Sequence, residues 1–131
     1  MRATAAVAAL TAAITLGGCG GNPQADVRAK VHEFADAVAA HDYSTICSDV
    51  LAPSLLADFA RGGISCRQAL RIALGGVRHP HLALGPVKVT GAHASALTIS
   101  QAAGQKTVLT SLVLTDTAKG WRISSLGSAA G

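Results

Sequence analysis

Aromatic residues are scarce in this sequence of 131 residues. Half of the residues count as hydrophobic, but many of these are alanine. A core with few large side chains gains less free energy from burial than one rich in Phe and Leu. The length suits one domain rather than two. We therefore expect a single small domain with a thin core, and its four aromatic residues are Phe34, Tyr43, Phe59 and Trp121.

Acidic residues are missing from a long internal stretch. No Asp or Glu occurs between Phe59 and Thr115, although the whole chain carries a formal net charge of +4. The basic residues are scattered, and the nearest approach to a cluster is Arg61, Arg67, Arg71 and Arg78. Nucleic-acid binding usually requires a dense basic stripe with interleaved aromatic residues. We therefore expect no nucleic-acid partner.

Sequence motifs for cofactors, metals and nucleophilic catalysis are also missing. The glycines form no phosphate-binding loop, and no serine has the Gly-x-Ser-x-Gly context of a hydrolase. His79 and His81 flank Pro80 and could supply two metal ligands, but no third ligand is near them in the sequence. His32, His41 and His93 are scattered and are expected to be solvated. We predict no cofactor, no metal site and no catalytic residue.

A short apolar run follows Arg2 at the start of the chain. Residues 5–16 are apolar apart from two threonines, and no further charge occurs before Asp26. The run is too short to span a bilayer, which needs about 20 apolar residues. A core helix in a domain this small would be half-buried and would show a polar face, which the run lacks. A positive residue followed by such a run is typical of a secretory signal peptide.

The run ends in Leu16-Gly17-Gly18-Cys19, which resembles the lipobox of bacterial lipoproteins. The resemblance implies a diacylglyceryl group on the Cys19 sulfur, cleavage before Cys19 and acylation of its amine. Two or three long acyl chains anchor a protein stably where one does not. We therefore expect a signal peptide at 1–18, a lipidated tether at 19–25 and a domain at 26–127. The expected location is the extracytoplasmic face of the cell membrane, with the membrane as partner through the anchor.

Cys47 and Cys66 are the two remaining thiols. In an exported protein, an even pair of cysteines favours a disulfide. A metal site would need more closely spaced ligands, and a redox-active pair would normally show a Cys-x-x-Cys motif. A disulfide here would stabilise the domain by about 3 kcal/mol in the chain-entropy account.

Hydrophobic periodicity predicts helices first and strands afterwards. Val27, Val31, Phe34 and Val38 repeat at helical spacing after Asn22-Pro23, a good helix start. We expect three helices, the second interrupted at Pro53. Alternating and β-branched segments then predict four strands. The helices are expected over about 23–40, 43–60 and 65–74, and the strands near 87–90, 97–100, 107–115 and 121–126. This order indicates an α+β domain with three helices packed on one face of an antiparallel sheet.

This element order, ending in Gly120-Trp121-Arg122-Ile123, resembles a small nuclear transport factor 2-like domain. The resemblance implies a curved antiparallel sheet closed by helices into a cystatin-like cone, with a pocket between them. Exported lipoproteins of high-GC bacteria often carry such a domain with a cysteine pair in its helical half. Phe34, Tyr43 and Trp121 are the candidate lining residues, although their spacing equally suits core positions.

Three functions remain open at this point. The first is a non-catalytic, membrane-anchored module that binds an envelope protein or a small apolar ligand. The second is a small enzyme of the polyketide cyclase or isomerase type, since some family members use a pocket carboxylate as a proton shuttle. The third is a structural envelope lipoprotein. We expect the binding module, because none of the four predicted strands contains an acid and only Asp42 and Asp116 could supply one.

Overall fold

The computed structural model of the protein describes residues 21–127, which form an α+β domain. The α-helices are α1 (Pro23–Ala39), α2 (Tyr43–Thr45), α3 (Pro53–Arg61) and α4 (Cys66–Leu74), and a π-helical turn (Ile46–Val50) continues α2. The strands are β1 (His81–Thr90), β2 (His93–Gln101), β3 (Val108–Thr117) and β4 (Gly120–Ser125). All helices precede all strands, as the sequence predicts.

Helix α1 begins where the sequence predicts. The Asn22 side chain accepts hydrogen bonds from the backbone N–H groups of Gln24 and Ala25, and Pro23 occupies the first turn. The predicted apolar face is buried at Val27, Val31 and Phe34, and the fourth buried residue is Ala37 rather than Val38. Residues 23–25, which the sequence analysis assigns to the tether, form the first turn of this helix.

The prediction of three helices is wrong in number, because the chain does not resume the second helix after Pro53. Leu51 and Ala52 are extended. Leu51 pairs in parallel with Ile123, and the Ala52 N–H donates to the Ile123 carbonyl at 2.7 Å. Pro53 then stands at the start of a separate helix, where its missing N–H leaves no hydrogen bond unmade. The extended pair also covers the outer edge of β4.

The sheet is an antiparallel meander in the order β1-β2-β3-β4. Strand β1 starts at His81, six residues earlier than predicted, because a bulge between Leu84 and Val87 accommodates Gly85-Pro86 without ending the strand. Proline is tolerated there because β1 is an edge strand. The β-branched strand β3 lies inside the sheet, in agreement with the sequence.

The two faces of the sheet differ in burial. On the inner face, Ala96, Leu114 and Ile123 are fully buried against the helices. On the outer face, Leu109 and Val113 remain 43% and 38% exposed. The hydrophobic core therefore lies between the inner face and the helices, chiefly α1.

The predicted disulfide between Cys47 and Cys66 is confirmed. Cys47 lies in the π-helical turn and Cys66 is the first residue of α4. Helix α4 has one fully buried side chain, Leu70. The covalent link therefore holds a helix that has little core contact of its own.

The predicted signal peptide and Cys19 lie outside the described residues. Lipidation of Cys19 therefore stays a prediction. Between residues 21 and 127, no helix has both the length and the apolar character needed to cross a membrane.

Candidate functional site

A pocket of about 290 Å³ opens between α1, the end of α4 and the inner face of the sheet. We call it the apolar pocket, because most of its wall is aliphatic or aromatic. Its apolar lining includes Phe34, Val38, Leu74, Leu82, Leu112 and Leu126. Its volume lies at the lower end of the range typical of small-molecule sites.

The apolar pocket has a buried floor and an exposed mouth. Phe34, Thr98 and Leu112 are buried and form the floor. Lys106 and Val108, where the β2–β3 connection meets β3, are exposed and form part of the mouth. Four residue steps along β3 separate Val108 from Leu112, so the pocket is about 13 Å deep. This shape suits a short extended apolar chain that enters end-on.

The floor carries one buried polar side chain, and that side chain is already hydrogen-bonded. The Thr98 hydroxyl donates to the Thr110 carbonyl at 3.1 Å, and Thr98 is fully buried. Within residues 21–127, every buried polar side-chain atom has a hydrogen-bond partner. The floor therefore offers contacts to apolar groups rather than a free donor or acceptor.

The remaining polar lining is neutral except at the mouth. Ser100, Thr110 and the Gln101 and Gln105 amides line the wall, and Lys106 lies at the mouth. Among the described residues, no Asp or Glu lines the pocket. Hydroxyls and amides can orient a ligand, but they are weak proton acceptors at neutral pH. This arrangement can bind a ligand, and among the described lining residues it offers no carboxylate as a general base; His81 at the mouth is the one imidazole.

A second concavity, of about 500 Å³, lies at the other end of the sheet. We call it the polar cleft, and its charged lining residues are Asp26, Lys30, Glu33, Asp116, Lys119 and Arg122. The Lys30 ammonium lies 2.7 Å from the Glu33 carboxylate and donates to the Asp49 carbonyl at 3.0 Å. The acids that the apolar pocket lacks are thus found at this end, where a cation already engages one of them.

The structure does not bring the three candidate aromatic residues together. Phe34 lies in the floor of the apolar pocket, whereas Trp121 lines the polar cleft. Tyr43 lines neither, and its hydroxyl lies 3.3 Å from Nδ1 of His41. Phe34 is in the second half of α1, but Trp121 follows the β3–β4 turn, which is at the far end of the sheet.

Sequence reasoning missed the residues of strands β2 and β3 that line the apolar pocket. Thr98 and Ser100 alternate along β2, and Thr110 and Leu112 alternate along β3. The period of two was visible in the sequence and identifies residues that share a face. This periodicity did not indicate which face of the sheet the helices cover only in part, and therefore where a pocket forms.

The two acids considered for catalysis lie outside the apolar pocket. Asp42 caps α2 and accepts hydrogen bonds from the Thr45 N–H at 3.1 Å and the Thr45 hydroxyl at 2.7 Å. These two hydrogen bonds, the hydroxyl first, hold the pKa of the Asp42 carboxyl below its ordinary value. Asp116 lies in the polar cleft. Asp42 thus acts as a helix cap.

Of the two histidines that flank Pro80, one lies at the mouth of the apolar pocket. His81 lines the mouth, while His79 adopts a left-handed conformation with φ of 50° in the α4–β1 connection. No group of three or more potential metal ligands forms in the described part of the chain.

Comparisons with known proteins bear on the fold. No family model matches the chain, and no curated protein matches it. Among solved structures, it is similar to the Kfla4162 protein from Kribbella flavida, with a TM-score of 0.58 and 18% sequence identity. The match covers 83% of this chain and 91% of that one. At this identity the likeness concerns the fold alone.

Proposed function

We propose that this protein is an exported lipoprotein, anchored through Cys19, whose nuclear transport factor 2-like domain binds a small apolar ligand. The observation that carries the binding role is the apolar pocket. It is lined by aliphatic side chains, and its buried hydroxyl is already hydrogen-bonded. Apolar pockets with a few polar groups at their walls are typical of small-molecule sites.

The anchor and the pocket mouth would lie at opposite ends of the domain. Gly21 lines the polar cleft, and Cys19 precedes it by two residues, which span at most about 7 Å. His81 at the pocket mouth and Thr90 near the cleft are the two ends of β1, about 30 Å apart. An anchored domain would therefore hold its mouth away from the bilayer. We infer that the ligand enters from the aqueous side.

Binding is favoured over proton-shuttle catalysis by the positions of the acids. A shuttle requires a carboxylate that reaches the bound substrate, at about 2.6–3.2 Å or through one water. Asp42 is used as a helix cap and Asp116 lies at the other end of the sheet. The cyclase or isomerase alternative would have to use a residue other than these acids as its base, such as His81 at the pocket mouth. A purely structural envelope role does not explain why the domain has an open apolar pocket.

A partner protein is the second candidate, because the outer sheet face is partly apolar. Leu109 and Val113 are more than a third exposed there. Ile99 pairs with Leu109 across the β2–β3 ladder and extends the same patch. If an envelope protein binds here, Leu109→Ser should abolish its copurification while Ser100→Phe leaves it unchanged.

The ligand hypothesis can be tested by filling the pocket. Ser100 on β2 lines the pocket, and Ser95 on the same strand points to the outer face. We propose the matched variants Ser100→Phe and Ser95→Phe in the mature Cys19→Ser protein, residues 19–131, with its disulfide formed. Octanol, a short apolar chain, serves as the probe in isothermal titration calorimetry.

The original protein should bind octanol with a dissociation constant of about 1 mM or tighter, since each buried CH₂ contributes about 0.8 kcal/mol. Ser100→Phe should weaken this binding about tenfold or more, because the ring occupies the pocket. Ser95→Phe should leave it unchanged. Equal binding by both variants, or no binding by the original protein, would reject the ligand hypothesis.

A further inference from the structure

The mouth of the apolar pocket is cationic on one side. Lys106 and His81 line it directly. Arg78 lies next to them, because its carbonyl accepts a hydrogen bond from the Ala103 N–H at 2.8 Å. The α4–β1 connection and the β2–β3 connection are thereby held together as one rim. This rim places Lys106 in the pocket lining and brings the backbone of Arg78 beside it, and no carboxylate is among the described lining residues.

Within residues 21–127, no carboxylate lines the pocket beside these charges. Between Phe59 and Thr115 the chain carries six Lys or Arg residues and no Asp or Glu. On the facing helix α1, Ala35 and Val38 line the pocket, and Asp36 lies between them in sequence. At 100° per residue, Asp36 is about 160° around the helix axis from Val38, so it points away from the mouth.

The negative end of α1 is also near the mouth, but its carbonyls are engaged. The Ala37 carbonyl accepts from the Asp42 N–H at 2.8 Å, and the Val38 carbonyl accepts from the His41 N–H at 3.1 Å. These hydrogen bonds satisfy groups that would otherwise repel an anion at the mouth.

We propose that the ligand is a single-chain amphiphile with a carboxylate head, a fatty-acid-like molecule. This inference rests on the proposed ligand-binding function and specifies its substrate class. The apolar chain would lie between Phe34, Leu82 and Leu112, and the carboxylate would lie at the mouth. There the Lys106 ammonium and the Gln101 and Gln105 amides can donate to it.

A carboxylate suits this mouth better than a phosphate. A phosphate group is usually held by several donors, such as backbone N–H groups at a helix N-terminus or an arginine cluster. The described lining of the mouth has one permanent cation, Lys106, beside the His81 imidazole and two neutral amides. That set matches the single charge of a carboxylate.

The test compares octanoate with octanol, which differ in the head group. Each is titrated into the mature Cys19→Ser protein and into the variants Lys106→Gln and Lys88→Gln. Lys88 is exposed on β1, where it pairs with Ser95 of the outer face, so Lys88→Gln changes the net charge equally without altering the mouth. Octyl phosphate is a third probe, and every titration is repeated at high NaCl concentration.

We expect octanoate to bind about twofold to fivefold more weakly to Lys106→Gln than to the original protein, as for an exposed ion pair. Octanol binding should be the same in all three proteins, and added salt should weaken only the binding of the anions. Lys88→Gln should bind octanoate as the original protein does.

Equal effects of Lys106→Gln and Lys88→Gln on octanoate would overturn the proposal while octanol binding still supports the pocket. Tighter binding of octyl phosphate than of octanoate would overturn the assignment of a carboxylate. If neither octanoate nor octanol binds, the proposed function fails, and this inference fails with it. These outcomes are therefore distinguishable.

Discussion

The two concavities of this domain differ in charge, although both lie beside α1. The apolar pocket is lined near the C-terminal half of α1 and has no carboxylate among its described residues. The polar cleft is lined near the N-terminal half and contains Asp26, Glu33 and Asp116 with three cations. The difference indicates that one end can bind an apolar molecule, while the other end, next to residue 21, stays hydrated. We therefore expect substitutions at the two ends to have separable effects.

The largest expected effect concerns the proposed anchor at Cys19, beside the polar cleft. Cys19→Ser removes the thiol that would carry the lipid, so the protein should be lost from membranes or accumulate as uncleaved precursor. Membrane fractionation with immunoblotting measures both outcomes. The disulfide variant Cys47→Ser/Cys66→Ser serves as the control and should stay with the membrane. A matured Cys19→Ser protein that still fractionates with membranes would contradict the anchor.

The second-largest expected effect is a loss of stability when the disulfide that holds α4 is removed. Replacing both Cys47 and Cys66 by Ser should lower the free energy of unfolding by about 3 kcal/mol, because the bridge closes a loop of 19 residues. Urea denaturation followed by circular dichroism measures this change. The original protein with reductant should show the same loss. An unchanged denaturation midpoint would mean that other contacts hold α4 in place.

Neighbouring residues on β3 distinguish the two sheet faces. Leu112 is 3% exposed and lines the pocket, whereas Val113 is 38% exposed on the outer face. Leu112→Ala should cost about 2–3 kcal/mol of stability, at the low end for core leucines because the site borders a pocket. Val113→Ala should cost less than about 1 kcal/mol. Thermal unfolding compares the two variants, and equal losses would show that the outer face is also covered.

The smallest effect concerns the cap at Asp42. Because its pKa is lowered in the folded state, ionised Asp42 stabilises the fold above its unfolded pKa. That contribution is lost as pH falls through the lower, folded pKa. Asp42→Ala should therefore be less stable than the original protein near pH 6, and the difference should shrink toward pH 3.

Asp42→Asn is the control for the cap, since Asn also caps helices well. It should retain most of the stability near pH 6 and show a weaker pH dependence. Urea denaturation at several pH values measures both variants. A difference between Asp42→Ala and the original protein that is constant with pH would contradict the role of the charge.

The sequence was sufficient to predict the local elements and the disulfide. It was not sufficient to predict which distant residues come together at the site. Asn22-Pro23 and the spacing of Val27, Val31 and Phe34 depend on local propensity and on one helix face. The break at Leu51-Ala52 depends on pairing with Ile123, more than 70 residues away in sequence. Such a long-range contact leaves no local signal, so local patterns alone predict three helices rather than four.

The same limit applies to the aromatic residues. Phe34 and Trp121 both have apolar positions in amphipathic elements, and periodicity gives each a buried face. It does not give the end of the sheet at which each residue lies. Their separation into two concavities follows from the meander and from the direction in which α1 crosses it.

Methyl NMR spectroscopy tests the central claim, ligand binding in the apolar pocket, most directly. Octanol is titrated into the mature Cys19→Ser protein with labelled Leu and Val methyl groups. We predict saturable shifts at Leu82, Leu112 and Leu126, which line the pocket, and none at Leu109 or Val113 on the outer face. Shifts confined to Leu109 and Val113, or no saturable shift at any methyl group, would contradict the account.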